Sequence, residues 1–183
     1  MRPVATGCPT VHVEAARRCP PAAAVAGRLL LCIGAVAVSW SAPAGAADKV
    51  RLSGLADLAF GTIGNLGLDA VRAEDVCMFS NSPTSGYHVT ATGTGPGASF
   101  ELSSGTDALA YDVAWNSTPG QSSGTILLPN VPLTGQTSSA TQQTCNSGPA
   151  TSASLIVILR STALSSAIAG NYTGTLTLIV GPE

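Results

Sequence analysis

The sequence predicts an all-β protein folded as a β-sandwich. Charged residues make up only 10% of the 183 and aromatic residues 4%, while Gly, Ser and Thr are abundant and Lys49 is the only lysine. Short segments that alternate apolar and polar residues are separated by turn signals, about six to eight of them, the pattern of a sandwich. Runs of Glu, Lys, Gln and Leu that would propagate a helix are missing. Threonine and valine suit a pleated strand and glycine suits turns, so composition and pattern agree. No longer repeat points to a solenoid or a propeller.

The first 46 residues read as a secretion signal peptide. Arg17, Arg18 and Arg28 precede the apolar run LLLCIGAVAVSW, whose 12 residues are too few to span a bilayer. Ala44 and Ala46 form an A-x-A site, so cleavage is expected after Ala46, with Ala47 as the alternative, and no element of the domain is expected upstream. Residues 47–183 then form one domain. Its length, 183 minus 46 or 137 residues, is enough to bury a core.

Removing the leader takes away Cys8, Cys19 and Cys32 and leaves Cys77 and Cys145, which are expected to pair in an oxidising compartment. Closing the loop between them stabilises by about 4 kcal/mol in the chain-entropy description. The remaining chain holds 4 bases (Lys49, Arg51, Arg72, Arg160) and 9 acids, and 4 minus 9 gives a net charge of −5. That balance argues against nucleic acid or an anionic membrane as a partner, since both require a basic surface, and no membrane insertion of the mature chain is expected.

Along the domain, VRLSGLADLAF places Val50, Leu52, Gly54, Ala56, Leu58 and Phe60 on one face of a strand. Residues 69–74 are expected to make a short helical turn before Cys77. YHVTATGTG and ASFELSSG alternate as a hairpin with a glycine-rich turn. ALAYDVAWN turns Leu109, Tyr111, Val113 and Trp115 toward the core. Residues 117–152 read as a polar connection with one short strand at residues 125–128. SLIVILRS is apolar on both faces, as a central strand covered on each side would be. STALSSAIAGN is expected to form one helical turn or a bulge. The closing AGNYTGTLTLIVGPE alternates Tyr172, Gly174, Leu176, Leu178 and Val180 against threonines and Ile179. A last strand of this kind leaves an edge, and unpaired edges invite another chain.

LADLAFG, CMFSNSPTSGYHVTATG, FELSSGTDALAYDVAWN, the second cysteine at 145 and AGNYTGTLTLIVGPE follow one another across residues 50–183. Together these blocks resemble the spore coat protein U domain family, which takes in pilin-like subunits of archaic chaperone-usher pili of Gram-negative bacteria. The resemblance implies an immunoglobulin-like sandwich that lacks its final strand and is completed by donor-strand complementation. A periplasmic chaperone would supply the strand first, and a sibling pilin subunit would replace it at the outer-membrane usher. It further implies a secreted structural or adhesive pilus subunit, acting in adhesion and biofilm formation, that passes through the periplasm to the cell surface. Such a subunit is not an enzyme and has no cofactor. Under this resemblance Tyr172, Leu176, Leu178 and Val180 flank an acceptor groove. Val50, Leu52, Leu58 and Phe60 belong either to a donor segment or to the domain's first strand. Residues 49–55 make a very short donor, so the alternative is a fibre-tip subunit that accepts a strand and gives none.

Other chemistry has weaker support in the residues. His88 is the only histidine of the mature chain, so a metal site would need carboxylates beside it and the cysteines. As a general base it would need Asp112 and a marked serine, and no G-x-S-x-G occurs. Glu74 and Asp75 are adjacent and charge a turn or a helix start. ATGTGPGAS is a hairpin turn, not a phosphate loop, because no lysine follows. Trp115 and Tyr111 could offer a sugar platform, although their alternation with Asp112 and Asn116 favours the core. The polar stretch 117–147 is either a solvated connection or an adhesive loop. Two alternatives therefore stand beside the pilus reading: a self-contained spore-coat or cell-surface structural protein, and a carbohydrate-binding module.

Overall fold

The structure is a computed structural model that describes residues 10–15 and 48–183. Arg17, Arg18, Arg28, the apolar run and the Ala44/Ala46 site all lie outside the described residues.

The described chain is all-β, with strands numbered here in chain order and one short helix, α1 (Ser161–Ser166). One sheet has the order β2 (Val50–Ser53), β4 (Ala70–Ser80), β11 (Ala153–Leu159), β8 (Asp112–Asn116) and β9 (Thr125–Ile126). The other runs β10 (Leu133–Thr137), β5 (Gly86–Thr92), β12 (Thr173–Pro182), β1 (Thr10–Ala15) and β3 (Leu58–Ala59). To that second sheet is added the hairpin of β6 (Glu101–Ser104) and β7 (Asp107–Ala110), which joins β12 where Thr173 lies opposite Ser103. The two sheets enclose one main core, a β-sandwich as the alternation predicts.

Strand β11 organises the first sheet. All seven of its residues are buried. Leu155, Val157 and Leu159 enter the main core, while Ile156 and Ile158 meet Ala114 in a separate cluster. Continuous apolarity thus specifies a central strand, paired antiparallel with β4 on one side and β8 on the other. That pairing also corrects the expected helical turn at residues 69–74. Residues 70–74 lie in β4, opposite residues 155–159 of β11, and cross-strand partners override weak local helix preference.

Two stretches expected as single strands each pass from one sheet to the other. Gly54, at a φ of +84°, ends β2 and turns the chain toward β3, a left-handed conformation that glycine adopts without strain. Tyr111 divides β7 from β8, its N–H donating to the Phe100 carbonyl at 3.0 Å. The expected hairpin of residues 87–102 is also different: β5 pairs with β10 and β12, and β6 pairs with β7. Gly93 and Gly95 donate to the carbonyls of Ala98 and Ser99, closing the intervening loop on itself. In the polar connection, β9 is the expected short strand and β10 is an additional one. The helical turn expected near residue 161 is α1, whose first amide, Ser161 N–H, donates to the Asp69 carboxylate at 2.7 Å. This bond, and then Arg160, hold the Asp69 carboxyl below its ordinary range.

The expected disulfide between Cys77 and Cys145 is present. With Ala140 and Phe79 it forms a small cluster apart from the main core. Nearby, the Ser152 hydroxyl donates to the Met78 carbonyl at 2.7 Å and accepts the Met78 N–H at 2.8 Å. The Ser138 hydroxyl donates to that same carbonyl. A Cys77→Ala/Cys145→Ala chain is expected to lose about 4 kcal/mol, the cost of reopening the loop, measured as a lowered urea midpoint. A loss under about 0.5 kcal/mol would show instead that the serine bonds alone hold the connection.

Candidate functional site

Strand β12 is the centre of the site that the sequence singles out. Leu176 and Leu178 are fully buried and the Tyr172 ring is buried just ahead of the strand, its hydroxyl donating to the Ile168 carbonyl at 2.8 Å. Val180, half-buried, packs against the same core. Along one side, residues 177–182 pair antiparallel with β5 and Thr173 with β6.

The other side of β12 is closed by β1. Thr10 lies opposite Thr173, Val11 opposite Gly174, Val13 opposite Leu176 and Ala15 opposite Leu178, running parallel. The far side of β1 meets β3 antiparallel, Thr10 opposite Ala59 and Val11 opposite Leu58. β1 therefore fills a gap between β12 and β3, and among the described residues it makes the only parallel strand pair. Gly174 lies tight against β6 on the opposite side of β12 from β1. A Cβ there would come within 2.9 Å of the Glu101 carbonyl oxygen and of the Leu102 side chain, so β6 and β12 could not keep their present approach.

The four residues expected in a donor or first strand are divided between the sheets. Val50 and Leu52 lie in β2, paired with β4 from Val50 opposite Ser80 to Ser53 opposite Cys77. The pairing is extended by Asn81, whose N–H donates to the Lys49 carbonyl at 3.1 Å and whose side chain accepts the Lys49 N–H. Leu58 is a buried residue of β3, and Phe60 is buried beyond it with the Arg72 guanidinium 6.0 Å from its ring centre. Residues 49–53 are thus built into the five-stranded sheet.

The candidate sugar platform is corrected by burial. Trp115 is 1% exposed and Tyr111 3%, so neither ring offers a face to a ligand. Trp115 instead joins the sheets: its indole N–H donates to the Tyr87 hydroxyl at 3.0 Å, and the rings meet edge to face with centres 6.3 Å apart. Burial pushes the hydroxyls of Tyr87 and Tyr111 up to about 12, and among the described residues the Tyr111 hydroxyl has no hydrogen-bond partner.

His88 and Asp112 are not brought together. His88 lies in β5, its Nδ1 3.8 Å from the Glu183 carboxylate, whereas Asp112 in β8 accepts from Arg160 at 2.6 Å. Glu74 and Asp75 sit in β4 and start no helix. Burial raises the Glu74 carboxyl above its ordinary value while the Ala56 N–H, donating at 2.7 Å, opposes the shift. Among the described residues no three His, Cys, Asp or Glu side chains cluster as metal ligands would.

The residues that sequence reasoning passed over are those of β1. TVHVEA alternates as a strand does, but its place upstream of the apolar run assigned it to the leader. Compared with known proteins, the chain matches no protein-family model and no curated protein.

Trp115→Ala is expected to cost about 3–5 kcal/mol of folding stability, measured by urea unfolding, because it empties the centre of the core. Loss of ligand binding with stability intact would contradict that placement. The tyrosines also predict an alkaline limit. Their hydroxyls titrate higher in the folded state than in the unfolded chain, so their contribution is complete below pH 10 and is lost as pH rises toward 12. Each removes up to about 1.4 kcal/mol per pH unit in that window. Tyr111→Phe should flatten the fall of stability between pH 10 and 12, and an unchanged pH profile would contradict it.

Proposed function

We propose that this protein is a pilin-like subunit of a chaperone-usher surface fibre, an immunoglobulin-like sandwich that is one strand short once its leader is removed. The observation that carries the reading is the gap between β12 and β3, which a segment distant in sequence fills as a separate strand. Without that segment, residues 173–178 of β12 would present unpaired N–H and C=O groups on one side, beside the buried Leu176 and Leu178. An added strand from a chaperone or a sibling subunit satisfies the backbone and covers the apolar surface together. The single disulfide, the acidic net charge and the secretion leader suit an exported subunit.

In this role the chain accepts a strand but has little to give. Residues 49–53 are already committed to β2, so after cleavage at Ala46 no free segment precedes the domain, which favours the fibre tip. Adhesion is then a property of the exposed surface, and Trp115 takes no part in it.

One observation favours the self-contained reading: the strand that closes the gap belongs to the same chain. The two readings part on the processed domain. Residues 47–183, produced in the periplasm, are expected to depend on a chaperone and to gain about 2.7 kcal/mol from a donor peptide at a hundredfold excess over its Kd. That gain raises Tm by about 10 °C in a domain of this size. A processed domain that is stable alone and gains nothing from chaperone, sibling or self peptides would establish the self-contained structural protein instead.

A further inference from the structure

We propose that the face formed by β2 and the loop of residues 139–151 binds an acidic saccharide, a sugar chain whose carboxylates meet Lys49 and Arg51 and whose hydroxyls meet Gln142, Gln143 and Asn146. The inference needs only a folded domain and stands whether or not the β12 groove accepts a strand.

The loop is held from its neck to its middle. Ser138 and Ser152, on either side of it, donate their hydroxyls to one carbonyl, that of Met78, and so close the neck. Cys145 is tied to Cys77, and Ala140 is buried with them against Phe79. Within the loop the Thr141 hydroxyl donates to the Ser147 carbonyl at 3.1 Å and the Cys145 N–H to the Gln142 carbonyl at 3.2 Å. The backbone is thus fixed, while the side chains of Gln142, Gln143 and Asn146 are exposed.

The polar groups left without partners converge here. Asn65, Asn81, Asn116, Gln121, Asn130 and Gln136 each commit a side-chain amide to a hydrogen bond that fixes a turn or a strand end. Among the described residues Gln142, Gln143, Asn146 and Asn171 commit none, and three of these four stand on this loop. The bases divide in the same way. Arg160 is held by Asp69 and Asp112, and Arg72 donates to the Ala59 carbonyl beside the Phe60 ring. Lys49 and Arg51 have no acidic partner among the described residues, and the Arg51 Nε is buried with no acceptor.

Both sets share one face. Val50 and Leu52 pack into the main core, so the alternation of a strand turns Lys49 and Arg51 the other way. Arg51 lies opposite Phe79 and Ser53 opposite Cys77, and Phe79 and Cys77 are the residues on which the loop rests. A guanidinium presents a fork that a carboxylate fits with two parallel hydrogen bonds. An amide offers donors and an acceptor together, the complement of a sugar hydroxyl, which also does both. A saccharide bearing carboxylates supplies both groups at close spacing, whereas an acidic peptide supplies carboxylates without a row of hydroxyls. The acidic balance of residues 47–183 confines an anion to this edge, since the other two arginines are already engaged.

The test titrates the full chain, with its disulfide intact, at low salt with oligogalacturonate, oligoalginate and sialyllactose. Dextran serves as the neutral sugar and poly-glutamate as the acidic peptide. Binding of at least one acidic saccharide, weakened by salt, and none of dextran are expected. Arg51→Gln should weaken binding about tenfold or more, the loss of a charge-assisted contact, and Arg51→Lys should fall between the two. Gln142→Ala/Gln143→Ala/Asn146→Ala should weaken it comparably with an unchanged urea midpoint, because these side chains are exposed, and this variant decides the matter if Arg51→Gln does not fold.

No acidic saccharide bound more tightly than about 1 mM overturns the proposal. So does undiminished binding by the folded variants, or equal binding of dextran. Poly-glutamate bound as tightly as the saccharides, and equally by wild type and the triple variant, assigns the face to an acidic peptide instead. A β12 groove that takes no donor peptide leaves the expected saccharide binding unchanged, so the two readings fail separately.

Discussion

The backbone of β12 must be paired on both sides, and the working of the molecule depends on this constraint. Leu176 and Leu178 anchor the strand in the core, so its position is fixed from within. Its neighbours are not equally secure. β5 follows it over residues 177–182 and belongs to the folded domain, whereas over residues 173–178 the second neighbour is β1, supplied from far upstream. A buried strand with an open ladder is costly, because each unpaired N–H or C=O beside an apolar surface forfeits its hydrogen bond with water and gains none from the protein. Some extended segment must therefore lie there, and which one is decided by what is covalently or locally available.

Much of the sandwich is tied together without β1. The Trp115–Tyr87 hydrogen bond joins β8 to β5 across the core, without using β1. The sheet crossings at Gly54 and Tyr111 connect the two layers covalently. The disulfide and the paired Ser138 and Ser152 bonds tie the long polar connection to β4 in the five-stranded sheet. The five-stranded sheet and the β5 side of its partner are thus held by bonds that do not involve β1, whereas β3 has its described ladder partner only in β1.

Legibility in the sequence followed the reach of the interactions. The two-residue period identified Leu109, Tyr111, Val113, Trp115, Leu176 and Leu178 as residues of a buried face, because a half-buried strand records its environment residue by residue. The double-faced SLIVILRS likewise announced a central strand. Period alone does not say which sheet a strand joins. The breaks at Gly54 and Tyr111, and the exchange of an expected β5–β6 hairpin for β6–β7, lie at that level. LTGQT of β10 has one apolar residue and a glycine, so its strand character comes from β5 beside it. Residues 70–74 looked locally helical for the same reason: only β11 reveals them as a strand. At the candidate site the acceptor side was legible, and its occupant was not, since TVHVEA gains its meaning from a register with residues more than a domain away.

β1 is held unevenly along its length. Positions 10 and 11 of β1 pair with both β12 and β3, whereas positions 12–15 have a described ladder partner only in β12. Fraying therefore costs least from the Ala15 end. Beside Leu178 the apolar surface continues to Val180, which packs against the same core. At the other end of the pairing Gly174 lies close against β6 on the opposite side of β12, while the register of β1 keeps positions 13 and 15 opposite Leu176 and Leu178.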